Sequence, residues 1–120
     1  MTTGLFIGRF QPFHKGHLQD IKEALKEVDE LIIAIGSSQF SHTEENPFSV
    51  DERIEMIEDT LIANDISDYT IFPIPDIGND SKWVEHIELI VPQFDVVFTG
   101  NELTEKLFRE KKYKVIKVKI

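Results

Sequence analysis

The sequence predicts an α/β fold: an open, doubly wound sheet of five parallel strands with helices on both faces. Three observations predict it. Short β-rich apolar runs alternate with segments of helical period along the chain. The inner runs LIIAI and VVF are apolar without interruption, as strands covered on both faces must be. At 120 residues the chain is the size of one domain, taking about 100 to 200 residues per domain.

The first strand is read over Gly4 to Gly8, and a helix starts near Gly16 with Leu18, Ile21, Leu25 and Val28 facing inward. The second strand runs Glu30 to Gly36 and opens into a long uncapped loop carrying Ser37, Ser38 and His42. Ser49, with Glu52 three residues on, forms a capping box for a second helix whose inward stripe is Val50, Ile54, Ile57 and Leu61. A third strand covers Tyr69 to Ile74. Ser81 is the expected cap of a third helix with Val84, Ile87 and Val91 inward, and Pro92 ends it. The fourth strand, Asp95 to Thr99, leads to a helix anchored by Leu103 and Leu107. The fifth, Tyr113 to Ile120, alternates imperfectly, which suits an edge. No repeat, low-complexity tract or linker divides residues 1–120, which are read as a single domain. Right-handed crossovers at each unit make the whole Rossmann-like. Ligands in such sheets sit beyond the carboxyl ends of the strands where strand order reverses. The segments to search therefore follow Gly8, Gly36, Ile74 and Gly100.

Composition narrows the chemistry. With 41% hydrophobic and 29% charged residues the chain suits a soluble globular domain. The absence of cysteine excludes disulfides, thiolate nucleophiles, zinc fingers and iron–sulfur clusters. Neither a secretory leader nor a run near the ~18 apolar residues of a membrane span is present, so a cytoplasmic protein is expected. A net charge of −9 argues against nucleic-acid or anionic-membrane partners, which need clustered cations. The charge is uneven: residues 1–105 hold 21 acidic and 6 basic side chains, residues 106–120 hold 1 and 7. That basic tail reads as a solvated helix face and a lysine-protected strand edge, or in part as an attractor of phosphates.

The segment Gly8-Arg9-Phe10-Gln11-Pro12-Phe13-His14-Lys15-Gly16-His17 carries the chemistry. It is neither a Walker loop nor GxGxxG. It offers two glycines where backbone can approach a ligand, a helix start with N–H groups and a positive dipole end, and two imidazoles flanking that start. Together they describe a site able to stabilise charge on a transferring phosphoryl group. A bound polyphosphate either favours charged histidines or takes their hydrogen bonds. No serine or cysteine stands with a base as an acyl-transfer nucleophile, so direct displacement at phosphorus is expected.

The string GRFQPFHKGH, with HxGH at His14, Gly16 and His17, resembles the nucleotidyltransferase superfamily, and its GRFQP start resembles the archaeal-type nicotinamide-mononucleotide adenylyltransferases. GSSQFSHTEENPFSVDERIEMI, PDIGNDSKWV and FDVVFTGN are similar to successive blocks of that family in the same order. The resemblance implies synthesis of NAD and pyrophosphate from ATP and nicotinamide mononucleotide, with Mg²⁺ carried mainly by substrate phosphates and no dedicated protein metal site. It implies His14 and His17 as the catalytic pair on the ATP phosphates, and Gly8, Arg9, Phe10, Gly16, Gly100 and Asn101 around ATP. Gly36, Ser37, Asp76, Trp83 and Val84 would hold the mononucleotide, and a homo-oligomer is implied as well.

Plainer roles stand beside several of these. Arg9 and Arg53 could form ion pairs, Trp83 could fill the core beside Ile87 and Ile90, and Asp76 and Gly100-Asn101 could be turn formers. Members of the family also carry a Ser/Thr-x-Thr-x-x-Arg motif beyond the fifth strand, and these 120 residues hold no counterpart. Truncated enzyme and short family member both fit. A related adenylyl- or cytidylyltransferase with another acceptor, and a non-catalytic nucleotide-binding domain, are the alternatives.

Overall fold

A computed structural model describes residues 1–119. Strands β1 (Thr3–Gly8), β2 (Glu30–Ile35), β3 (Tyr69–Pro73), β4 (Val96–Thr99) and β5 (Lys114–Lys117) form one sheet in the order β3-β2-β1-β4-β5. Every pairing is parallel, with Leu5 opposite both Ile32 and Val97. Helices α1 (Lys15–Glu27), α2 (Val50–Ala63), α3 (Trp83–Ile90) and α4 (Glu102–Glu110) alternate with the strands, α3 being preceded by a 3-10 turn over Asp80–Lys82.

The uninterrupted apolar runs are explained by two cores. Because successive strand residues point to opposite faces, Phe6, Leu31, Ile33 and Ile35 meet Ile21, Ala24, Ile57 and Leu61 on the α1 and α2 side. Leu5, Ile7, Ile32 and Ala34 meet Val84, Ile87 and Phe108 on the α3 and α4 side. Fully burying one such aliphatic or aromatic side chain is worth roughly 1.5–3 kcal/mol, so beyond its exposed first residue Glu30, strand β2 can tolerate a polar residue on neither face.

Several local readings are corrected. Ser81 does not cap α3: its hydroxyl donates to Asn79 Oδ1 at 2.7 Å inside the 3-10 turn, and Lys82 holds the cap position without a side-chain bond. Helix α4 is anchored by Thr104 and Phe108, with Leu107 half-buried against the same core as expected, while Leu103 is 49% exposed. Asn101 caps this helix, its Oδ1 accepting from Thr104 N–H at 2.9 Å, and that start turns Leu103 away from the core. The buried stripe of α1 includes His17 and Asp20 beside Ile21 and Ala24, with Leu18 and Leu25 at its margins. Strand β5 starts after Tyr113, whose N–H closes the end of α4 on Phe108 O instead of joining the sheet. The predicted end of that strand at Ile120 lies outside the described residues. The capping box of Ser49 and Glu52 is present in both directions. No helix among the described residues is long and apolar enough to cross a membrane.

Candidate functional site

Strand order reverses between β1 and β4, because the chain leaves β1 toward β2 and β3, then returns to lay β4 on the other side. Helix α1 leaves toward one face of the sheet and α4 toward the other, so a crevice opens beyond Gly8 and Thr99. It is a cleft of about 690 Å³. Gly8, Arg9, Phe10, His14, His17, Gly36, Ser37, Asp76, Trp83, Gly100 and Asn101 all line it. Gly16 and Val84, expected there too, do not. The Gly16 N–H is spent on His14, and Val84 is buried against the α3 and α4 side of the sheet.

The two histidines lock each other. His14 caps α1, its Nδ1 accepting from Gly16 N–H at 3.0 Å, and His17 Nδ1 accepts the His14 N–H at 3.1 Å. This is a capping box with imidazoles where serine and glutamate normally stand. It consumes helix N–H groups that the sequence suggested were free for an anion. It also fixes the tautomers: a neutral ring whose Nδ1 accepts carries its proton on Nε2. The ring centroids are 4.0 Å apart. His17, 9% exposed, stacks on Phe13 at 5.4 Å and meets Phe10 edge-on at 4.9 Å. Burial, with the neighbouring His14, lowers its pKa to about 4. In these protein surroundings alone, His17 is therefore a neutral ring carrying its proton on Nε2.

The loop before the histidines is shaped by Phe10. Its ring is 2% exposed and packs on Phe6 and Phe13. A Cβ at Gly8 would stand 2.9 Å from that ring, which is why the strand ends in glycine. Phe10 itself has φ 55°, the left-handed region that side chains rarely adopt. The Gln11 amide then reads the backbone of Phe48, donating to its carbonyl at 3.1 Å and accepting its N–H at 2.8 Å. Arg9 is exposed in the cleft and forms no ion pair among the described residues.

On the opposite wall, Ser37 Oγ donates to Asp76 Oδ2 at 2.7 Å, and the Gln39 amide pairs with both backbone groups of Asp76 at 3.0 Å. The loop after β3 is held further by a hydrogen bond between His86 Nε2 and Pro75 O at 3.1 Å. Trp83 does both things the sequence allowed: it lines the cleft and meets Phe108 edge-on at 6.2 Å. Asn101 likewise caps α4 while facing the cleft. His42 stays outside the cleft; a second cavity of about 670 Å³ in the same long loop is lined by Phe40, Thr43, Glu44, Glu45 and Asn46.

The ion pair offered for Arg53 from the sequence is corrected. This side chain forms no ion pair among the described residues; it is fully buried, and its N–H groups go to five backbone carbonyls. Burial and the Arg9 charge push its guanidinium below the usual arginine range. The roles of Gln11 and Gln39 were missed because their partners are backbone groups, which carry no residue signature. Leu103, read as a helix anchor, and Ile77, which adjoins Gly78, are exposed apolar side chains at the cleft rim. Among the described residues no three His, Asp or Glu side chains gather as a metal cluster. Asp76 and Asp80 do line the cleft. That donor set fits a divalent ion brought in on phosphates better than one caged by protein.

Residues 5–119 match the cytidylyltransferase-like family. The chain is 50% identical over 119 residues to the nicotinamide-nucleotide adenylyltransferase of Pyrococcus furiosus, spanning 97% of this chain and 63% of that protein. It is 52% identical over 109 residues to the enzyme of the same name from Thermoplasma acidophilum, spanning 91% of this chain and 61% of that one. It thus spans under two thirds of the length of these relatives. A bifunctional NMN adenylyltransferase/ADP-ribose pyrophosphatase from Francisella tularensis, solved with AMP and a manganese ion, superposes with a TM-score of 0.79 at 31% identity, over 98% of this chain and 36% of that one.

Proposed function

This chain belongs to the cytidylyltransferase-like family, and on that premise we propose that it transfers the adenylyl group of ATP to nicotinamide mononucleotide, yielding NAD and pyrophosphate. The observation that carries this reading is the pair of interlocked imidazoles, each with Nδ1 occupied by backbone and Nε2 left for a ligand, beside the unpaired Arg9. ATP lies across the reversal point, with Gly8, Phe10, Gly100 and Asn101 around the nucleoside and Arg9, His14 and His17 on the triphosphate. Gly16 contributes by holding His14, and Val84 by seating α3 beneath Trp83. The mononucleotide occupies the wall of Gly36, Ser37, Asp76 and Trp83, where the indole offers a flat apolar face to a planar ring.

A phosphate oxygen of the mononucleotide attacks the α-phosphorus in line; the new O–P bond forms as the bond to pyrophosphate breaks. Neither a protein nucleophile nor a strong base is needed, so positioning and charge stabilisation are the protein's share. The Nε2–H groups of His14 and His17 donate to non-bridging and leaving-group oxygens. Mg²⁺ on the phosphates would supply neutralisation of the charge between the two anionic substrates. A cytoplasmic location belongs to the same reading, its substrates being soluble nucleotides.

The test is NAD formation from ATP, Mg²⁺ and nicotinamide mononucleotide, followed by enzymatic reduction of NAD at 340 nm. His17→Asn keeps an acceptor for the His14 N–H and removes Nε2, so the rate should fall about 100-fold or more with the fold intact. ATP binding without any NAD formation by the unaltered chain would replace this reading with that of a nucleotide-binding domain.

A further inference from the structure

A guanidinium has five N–H donors in a fixed fork, and in Arg53 all five are matched by backbone carbonyls. Nε donates to Ser49 O at 3.2 Å, Nη1 to Arg9 O at 3.0 Å and Gly36 O at 2.9 Å, and Nη2 to Ser37 O at 3.2 Å and Phe40 O at 3.3 Å. These carbonyls belong to the loop after β1, the loop after β2 and the cap of α2. A charge buried to 0% exposure is normally held by a carboxylate. Here no ion pair is made among the described residues.

The two Nη1 acceptors have something else in common. Phe10, with φ 55°, directly follows Arg9, and Ser37, with φ 51°, directly follows Gly36. Left-handed conformations at non-glycine residues are costly and persist only where the surroundings impose them. One nitrogen thus grips the peptide carbonyl immediately ahead of each strained residue, at the adjoining ends of β1 and β2. Arg9, Phe10, Gly36 and Ser37 all line that cleft; the Gly36 N–H on Gly8 O at 2.8 Å aligns the two strand ends, and beyond that bond Arg53 ties the carbonyls of the two loops together.

We propose that Arg53 is a positioning residue for nucleotide transfer: its fork, more than its charge, sets the spacing between the phosphate-facing loop of Arg9 and the loop of Ser37. This rests on the nucleotidyltransferase reading of the cleft, but its first readout is ATP binding, which survives if catalysis does not. An ammonium keeps the charge and has three donors on a single nitrogen, so it cannot span five carbonyls.

The experiment compares Arg53→Lys with the unaltered chain at a temperature where circular dichroism shows both folded. ATP affinity by calorimetry should fall about tenfold, and kcat, where the unaltered chain makes NAD, about 100-fold, the scale of a site displaced by about 1 Å. Folded Arg53→Lys with unchanged ATP affinity and kcat overturns the proposal, since a merely architectural role would lower the melting temperature and leave both alone. The unaltered chain gives a second measurement that needs no variant to fold. With ¹⁵N-arginine, the Arg53 Nη protons should be individually resolved and should shift when ATP is added. Averaged Nη signals, or signals indifferent to ATP, overturn it as well.

Discussion

Burial against Phe10 and Phe13, with His14 beside it, keeps the His17 imidazole neutral down to about pH 4, against an ordinary 6.5. The unfolded chain therefore takes up a proton on this ring before the folded one does. Stability from this group is full above pH 6.5 and is lost as pH falls from there toward 4. Urea midpoints measured across that window should decline more steeply for the unaltered chain than for His17→Asn; parallel curves would mean that the ring is not held as a buried neutral base. Arg9 invites a similar single-residue test. Its charge stands unpaired in the cleft, and Arg9→Met should weaken ATP binding about 10- to 100-fold, the worth of a charge-assisted hydrogen bond, as read by calorimetry. The sequence placed the histidine pair beside a helix start and a strand end. What it could not carry was which ring nitrogen remained available, because that depends on the N–H groups of His14 and Gly16, and backbone donors are alike in every residue.

Helix α2 begins where its two capping residues said it would, and Ser49→Ala should cost about 1 kcal/mol in thermal or chemical unfolding. Strand β1 ends against the Phe10 ring, which is packed and cannot retreat. Gly8→Ala should therefore destabilise by about 1–3 kcal/mol and disturb the loop that carries Arg9, checked by melting and by ATP affinity together. The five strands were legible because burial on both faces forces unbroken apolar runs such as Leu31 to Ile35. Element ends were less so. Ser81 looked like a cap because its type suits one, yet its hydroxyl finds Asn79 first. Leu103 looked like an anchor because it is apolar, while Thr104 took the inward position once Asn101 set the phase of α4. Arg53 offered least of all, since the acidic neighbours in its own helix suggested an ion pair and its real partners are carbonyls.

Across the whole molecule, the sheet order places the ends of β1 and β4 side by side, so the cleft draws on the first and last parts of the chain alike. A ligand seated there binds only the folded state. ATP at about 100 times its dissociation constant should add about 2.7 kcal/mol to stability, and a thermal-shift titration should show the rise with ATP and little with adenosine, which lacks the phosphates. Ile33→Ala, at the centre of β2 and fully buried, should remove about 2–5 kcal/mol without touching the cleft. The register of β1 with β4 has a consequence during synthesis. A nascent chain displaying only β1, α1 and β2 possesses both histidines but half a crevice. On the proposed reading, nucleotide capture would await emergence of Thr99 through Thr104 from the ribosome and the insertion of β4 beside β1, so affinity for ATP would report that translation has passed this point and β4 has joined the sheet.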